Sequence, residues 1–190
     1  MMARASCAYS TGRPRRGGNG TILPSEMLRA LSSDAELAAV AARVLSVPGT
    51  IGNNLMLCGP REALVLEISA RQGAVRHPKK GLLTTTNHYQ SPAMQPLKGR
   101  FPPRPPYSVL AAYQFTEAYS QARNQRLQEL ASDHCLGPAD LQQILADPAI
   151  ANAGTAVCTV FHPRDRLLWV ARGQTPPVNQ GPFEAIKLWD

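Results

Sequence analysis

Asn87, His88 and Tyr89 stand side by side at the end of an apolar, β-branched run, Gly81-Leu82-Leu83-Thr84-Thr85-Thr86. A side-chain amide, an imidazole and a phenol on a rigid element can stabilise a developing charge or wall a pocket. Residues 82–86 suit a half-buried strand, and beyond Tyr89 the sequence breaks into polar residues and prolines. The competing reading of the same residues is a strand leading into a surface loop, with Asn87 as an ordinary turn residue. Further along, Ser120, Arg123 and Leu127 recur at helical spacing, so one helix side carries a hydroxyl and a guanidinium. Glu67 lies inside an apolar strand pattern. We read it as ion-paired or at a sheet edge and not as a catalytic acid, because no partner acid lies near it in sequence.

The cysteines are Cys7, Cys58, Cys135 and Cys158. Their spacings match no paired C-x-x-C zinc pattern, and we find no metal site and no organic cofactor site. With no secretory signal, they read as reduced thiols in a cytoplasmic protein. Cys58, Cys135 and Cys158 sit in or beside apolar segments and read as small core residues.

Several elements must position these groups. Residues 1–20 are rich in Arg, Gly and Ser without an apolar period and read as a disordered tail, in preference to a transit peptide. The folded domain is expected over 21–190. A short helix starting at Pro24-Ser25-Glu26 carries Met27, Leu28 and Leu31. Ser33-Asp34-Ala35-Glu36 fits a capping box ahead of a helix with Leu37, Val40, Ala41, Val44 and Leu45 on one face. A meander is expected next, with strands at 54–57, 63–69, 74–77 and 82–86 joined by Gly-containing turns. Residues 91–106 hold six of the 17 prolines and read as a stiff crossing loop. A polyproline ligand for an adaptor domain, at 101–106, is the lesser reading. Residues 108–131 read mainly as helix, and Gly137-Pro138 begins another, with Leu141, Ile144 and Leu145 as its apolar stripe. Strands are expected at 155–161, 166–171 and 183–188. The order of elements predicts an α+β domain built in layers from antiparallel sheets.

The 190 residues suffice for one domain with a sizeable core. Apolar residues make up 44% and charged residues 17%, as in globular domains. Of the net charge of +7, Arg4, Arg13, Arg15 and Arg16 supply +4 before the first acidic residue, Glu26. The remaining +3 is ordinary for a surface, and no basic stripe interleaves with aromatics, so no nucleic acid is expected. No run approaches the ~20 apolar residues that span a bilayer, so no membrane is expected either.

Several words, in this order, resemble one family. They are Gly52-Asn53-Asn54-Leu55 before a strand ending in Leu66-Glu67, then Thr86-Asn87-His88-Tyr89, then Ser120-x-x-Arg123-x-x-Arg126-Leu127. Thr155-Ala156-Val157-Cys158-Thr159-Val160-Phe161 and Leu168-Trp169-Val170-Ala171-Arg172-Gly173 complete the series. The ordered set resembles the C-terminal two-thirds of the acyl-coenzyme A:6-aminopenicillanic acid acyltransferase (isopenicillin-N acyltransferase) family. It is more distantly similar to the choloylglycine hydrolases. Both are N-terminal-nucleophile hydrolases, so the resemblance implies a partial αββα sandwich. It also implies a cysteine-nucleophile amidohydrolase or acyltransferase acting on a small-molecule amide or an acyl-coenzyme A thioester. By the same resemblance Asn87 is an oxyanion donor and Arg123 sits near the nucleophile, where a fixed cation favours thiolate. His88 and Tyr89 are expected as substrate-pocket residues, His88 as a pocket-wall or structural histidine and not as a catalytic base.

The family's nucleophile opens a strand well before the position matching Pro24, and that part of the pattern is missing. Cys7 is rejected as the nucleophile. The residues after it, Ala8-Tyr9-Ser10-Thr11-Gly12-Arg13-Pro14, do not read as a strand, and 80 positions to Asn87 are too few for the absent strands. The expectation is thus a truncated domain, poorly soluble or loosely packed, and inactive alone. The alternative is a non-catalytic remnant or binding module of the same fold.

Overall fold

The computed structural model describes residues 2–4, 36–46, 52–97, 116–131, 136–152, 154–173 and 177–188. The expected helix at Pro24, Ser33 of the capping box, Cys7, Cys135 and the proline run 101–106 lie outside the described residues. So does the tail, apart from Met2–Arg4. The fold is α+β, with two antiparallel sheets.

The first helix, α1 (Leu37–Ser46), lies against a three-stranded sheet of β2 (Asn53–Cys58), β3 (Ala63–Ile68) and β4 (Gly73–Arg76), in that order. Residues four and three apart on α1 share a face, so Val40, Ala41 and Val44 point together at the sheet. In the β2–β3 register Leu55 faces Leu66 and Leu57 faces Leu64, which puts four leucines on the face beneath the helix. Leu37 and Leu45 pack at the margins. At roughly 1.5–3 kcal/mol per large aliphatic side chain, this is the main stabilisation of the N-terminal half.

The opposite face of that sheet is polar at its centre. Glu67 is on the middle strand and 0% exposed. Its Oε1 is 2.7 Å from Nε of Arg76 on the neighbouring strand. It also accepts the Gln90 N–H at 2.8 Å, the Ser91 N–H at 3.0 Å and the Ser91 hydroxyl. The ion-paired reading of Glu67 holds, and the edge reading does not. A buried carboxylate with four partners is stable where an unpaired one would not be.

The expected fourth strand at 82–86 is absent. After Pro78 the chain makes one two-residue turn, with Lys80 at φ 50° and Gly81 at φ 80°. Lys79 and Leu82 exchange both backbone bonds across it, at 2.9 and 3.0 Å. Positive φ at both central positions is what a tight hairpin of the I′ kind requires, and Gly81 supplies one at no cost. Beyond Leu82 side chains replace the ladder. Arg76 Nη2 donates to the Thr84 carbonyl at 2.9 Å, and Asn54 Nδ2 donates to those of Thr86 and His88 at 2.6 and 3.0 Å. An extended, β-branched run is legible in the sequence; the groups that satisfy its carbonyls are not.

Helix α2 (Glu117–Ala131) begins where Thr116 Oγ1 accepts the Tyr119 N–H at 3.1 Å, an N-cap bond. The expected start at Ser108 lies outside the described residues. Helix α3 (Pro138–Ala146) has Pro138 in its first turn, and the Gly137 N–H donates to Asp140 at 2.6 Å. It covers a second sheet of β5 (Val157–His162), β6 (Leu167–Arg172) and β7 (Glu184–Lys187). The short strand β1 (Met2–Arg4) pairs on the free edge of β5. Leu141 and Leu145 meet Cys158, Val160, Ala171 and Val178 in a second core that shares no residue with the first.

Candidate active site

Helix α2 docks by polar groups. Its buried residues are Ser120 and Asn124, four apart and so on one face. The Thr86 hydroxyl donates to the Ser120 carbonyl at 2.9 Å, and the Ser120 hydroxyl donates to Thr86 Oγ1 at 3.0 Å. Gln90 Nε2 donates to Asn124 Oδ1 at 3.1 Å, and Gln128 Nε2 to the Thr84 hydroxyl at 3.2 Å. A run of bonds therefore stitches one side of α2 to residues 84–90, which Asn54, Arg76 and Glu67 hold on the first sheet.

This stitching brings Asn87 and Arg123 together. Arg123 Nη2 donates to Asn87 Oδ1 at 2.8 Å. A guanidinium only donates, so the amide oxygen must face it and the amide nitrogen is turned elsewhere. The Arg123 guanidinium also lies over the Tyr119 ring, 5.1 Å from its centroid. A cation held against an aromatic face and an amide oxygen is a fixed charge.

Arg123 lines a cavity of about 250 Å³. Thr85, Thr86, Leu127, Ile150, Val157, Cys158 and Asn179 are among its other walls. His88 and Tyr89 are not among them. The Tyr89 hydroxyl donates to the Ile68 carbonyl at 2.5 Å, and burial, then the nearby Glu67 charge, raise its pKa. His88 Nδ1 lies 2.8 Å from Ser120 Oγ and 3.1 Å from Thr86 Oγ1. That is the spacing of a nucleophile and its base, but Ser120 is 2% exposed and does not line the cavity. Its hydroxyl is buried in the structure, and the two residues hold the segment against α2.

No protein-family model, curated protein or solved structure matches this chain. The site is accordingly read from its own chemistry. Two cysteines fall within the described residues, Cys58 and Cys158, and Cys158 is a free thiol. Cys158 lines the cavity and is 3% exposed. Burial pushes its pKa from an ordinary 9.0 to about 11, so it stays a thiol at neutral pH. Among the described residues no group of three or more His, Cys, Asp or Glu could hold a metal ion, and no helix is long and apolar enough to cross a membrane.

Sequence reading misses Gln90, Asn124 and Asn179 as structural members of the site. The Ser120-x-x-x-Asn124 spacing is a usable signal, since two short polar residues four apart mark a helix face built to bond. Asn179 carries none, because its place depends on a carbonyl 34 positions away, that of Leu145.

Proposed function

We propose that this chain carries the oxyanion-binding part of a cysteine-dependent amidohydrolase or acyltransferase site. The observation that carries it is the 2.8 Å bond from Arg123 to Asn87 beside a 250 Å³ cavity. The bond turns the Asn87 amide oxygen onto the guanidinium, and although Asn87 is not among the residues that line the cavity, in this reading its N–H groups would meet, at the cavity's edge, a carbonyl oxygen gaining charge. One such donor, where it is aimed at that oxygen, lowers a barrier by about 3–4 kcal/mol. The same guanidinium favours a thiolate placed next to it. Two antiparallel sheets, each with its own helix layer, give the α+β class that this reading requires. The substrate is a small-molecule amide or an acyl-coenzyme A thioester.

The attacking thiolate comes from outside the described residues. Its sulfur would bond to the acyl carbon as the amine or thiol leaves with a proton, and water or an amine would then take the acyl group. The second reading is a binding module that keeps the layers without the chemistry. It is favoured by the burial of Cys158, the one cysteine that lines the cavity among the described residues.

The test is hydrolysis of N-acyl anilides and acyl thioesters by the 190-residue chain and by the chain extended with any in-frame coding sequence upstream. Alkylation-sensitive turnover that Asn87→Ala lowers about 10²–10³-fold supports the acyl-transfer reading. Turnover by the 190-residue chain that Cys7→Ala abolishes would make Cys7 the nucleophile. Turnover indifferent to Asn87, or none in either form, leaves the binding module.

A further inference from the structure

The cavity lies at the seam between the two halves of the fold. Helix α2 lends it Arg123 and Leu127, the chain after α3 lends Ile150, and strand β5 lends Val157 and Cys158. Among the described residues that line it, Arg123 alone is ionised at neutral pH, and none is an acid. Cys158 adds no charge, because burial keeps it a thiol. The carboxylates on the flanking elements are already engaged, since Arg126 pairs with Glu129 on α2 and with Asp147 after α3. One cation beside an apolar recess sets a positive potential there, and the low polarity of the walls screens it less than water would. Arg123 is half-buried and keeps its bond to Asn87. It acts on the cavity through its field, so an incoming anion has no bond to displace.

An apolar cavity of about 150 Å³ holds benzene. The volume of about 250 Å³ here admits a ring or a short chain together with a charged group. It opens at residues 154–157, where Gly154, Ala156 and Val157 are exposed, Val157 to 59%. We propose that this cavity binds a small apolar carboxylate, with its hydrocarbon body on Leu127 and Ile150 and its charge toward Arg123. An ammonium of the same shape would meet a like charge. A neutral amide or a hydrocarbon would fill the space and forgo the attraction. The inference goes beyond the acyl-transfer reading, whose substrates are neutral at the reacting carbonyl. It needs neither Asn87 nor a thiolate, so it stands or falls on binding while that reading stands or falls on turnover.

The test is an NMR titration of the isotope-labelled full chain with benzoate, benzamide, benzylamine and toluene. Benzoate gives saturable shifts at Leu127, Ile150 and Val157, with an affinity about tenfold or more above benzamide and toluene, and benzylamine, a cation at neutral pH, binds weakest. Any hydrolysis of benzamide would appear separately, as benzoate in the ligand's own spectrum. Arg123→Gln lowers benzoate to the affinity of benzamide. Ala156→Trp, at the exposed mouth, abolishes the shifts with Arg123 still in place, so the ligand series and this variant decide the matter should Arg123→Gln fail to fold. The proposal is overturned by the absence of saturable shifts at these residues, by benzamide, toluene or benzylamine binding as tightly as benzoate, or by benzoate binding that folded Arg123→Gln or Ala156→Trp leaves intact.

Discussion

Arg123 Nη2 and Asn87 Oδ1 are joined by a 2.8 Å hydrogen bond between helix α2 and the segment after the Lys80-Gly81 turn. The bond has two separable effects, since it anchors the helix and it orients an amide. Asn87→Asp keeps an acceptor for the guanidinium, and a charged one, but deletes the N–H donor. We expect Asn87→Asp to retain the thermal midpoint while lowering turnover about 10²-fold in the catalytically competent form. Parallel loss of stability and turnover would mean that the pair is only an anchor.

The Glu67 carboxylate is expected to be the most sensitive single group in the N-terminal half. Glu67→Ala leaves the half-buried Arg76 without its ion partner and releases the Gln90 and Ser91 amides. Breaking such a pair from one side costs about 3–5 kcal/mol. The double variant Glu67→Leu, Arg76→Met should cost less than the two single changes together. Urea unfolding of the four proteins measures both quantities.

Cys158 makes an alkaline prediction. Its folded pKa, about 11, lies above its ordinary 9.0, so the fold favours the thiol. The stability this contributes is fully present below pH 9 and is lost as pH rises through 11, on the order of 2 kcal/mol. Cys158→Ala should flatten that loss. At pH 8 only about one Cys158 in a thousand is thiolate, so peptide mapping after iodoacetamide should find it labelled far more slowly in the native than in the unfolded chain.

Asp147 makes the acid counterpart. Arg126 donates to its Oδ2 from Nε at 3.1 Å and from Nη2 at 2.8 Å, and the Ala149 N–H donates to its Oδ1 at 2.8 Å. The Arg126 bonds, more than the Ala149 bond, hold the carboxyl below its ordinary 3.8. A depressed carboxylate contributes stability above its unfolded pKa and loses it as pH falls through the folded value. Arg126→Met should therefore be less stable than the wild-type chain above pH 3.8, and the difference should shrink as pH falls through the folded value, which urea unfolding followed by circular dichroism at a series of pH values would show.

Much of the scaffold is legible in the sequence because its patterns are local. The α1 stripe of Val40, Ala41 and Val44 and the pairing of β2 with β3 follow from periods of 3.6 and 2. The segment 82–86 reads as a strand and is not one, because a β-branched run specifies extended backbone and not its partner. Asn54 and Arg76 decide that outcome through side chains, which no local pattern encodes. Asn87 and Arg123 enter through a resemblance, and the structure brings them into one bond. The cavity is not legible, because its walls come from residues 85 to 179 and meet only in the folded chain.

The two cores share no side chain, and the helix between them is bound by amides and hydroxyls in place of buried hydrocarbon. Hydrogen bonds of this kind contribute about 1 kcal/mol each and are open to competition from water. The molecule should consequently breathe at its middle before it melts at either end. Native-state hydrogen exchange would register this as two cooperative units, with the amides of α2 opening at lower free energy than those of β3 or β5. The Asn87–Arg123 bond lies on that opening line, so anything lodged against it would act as a clasp on the two halves.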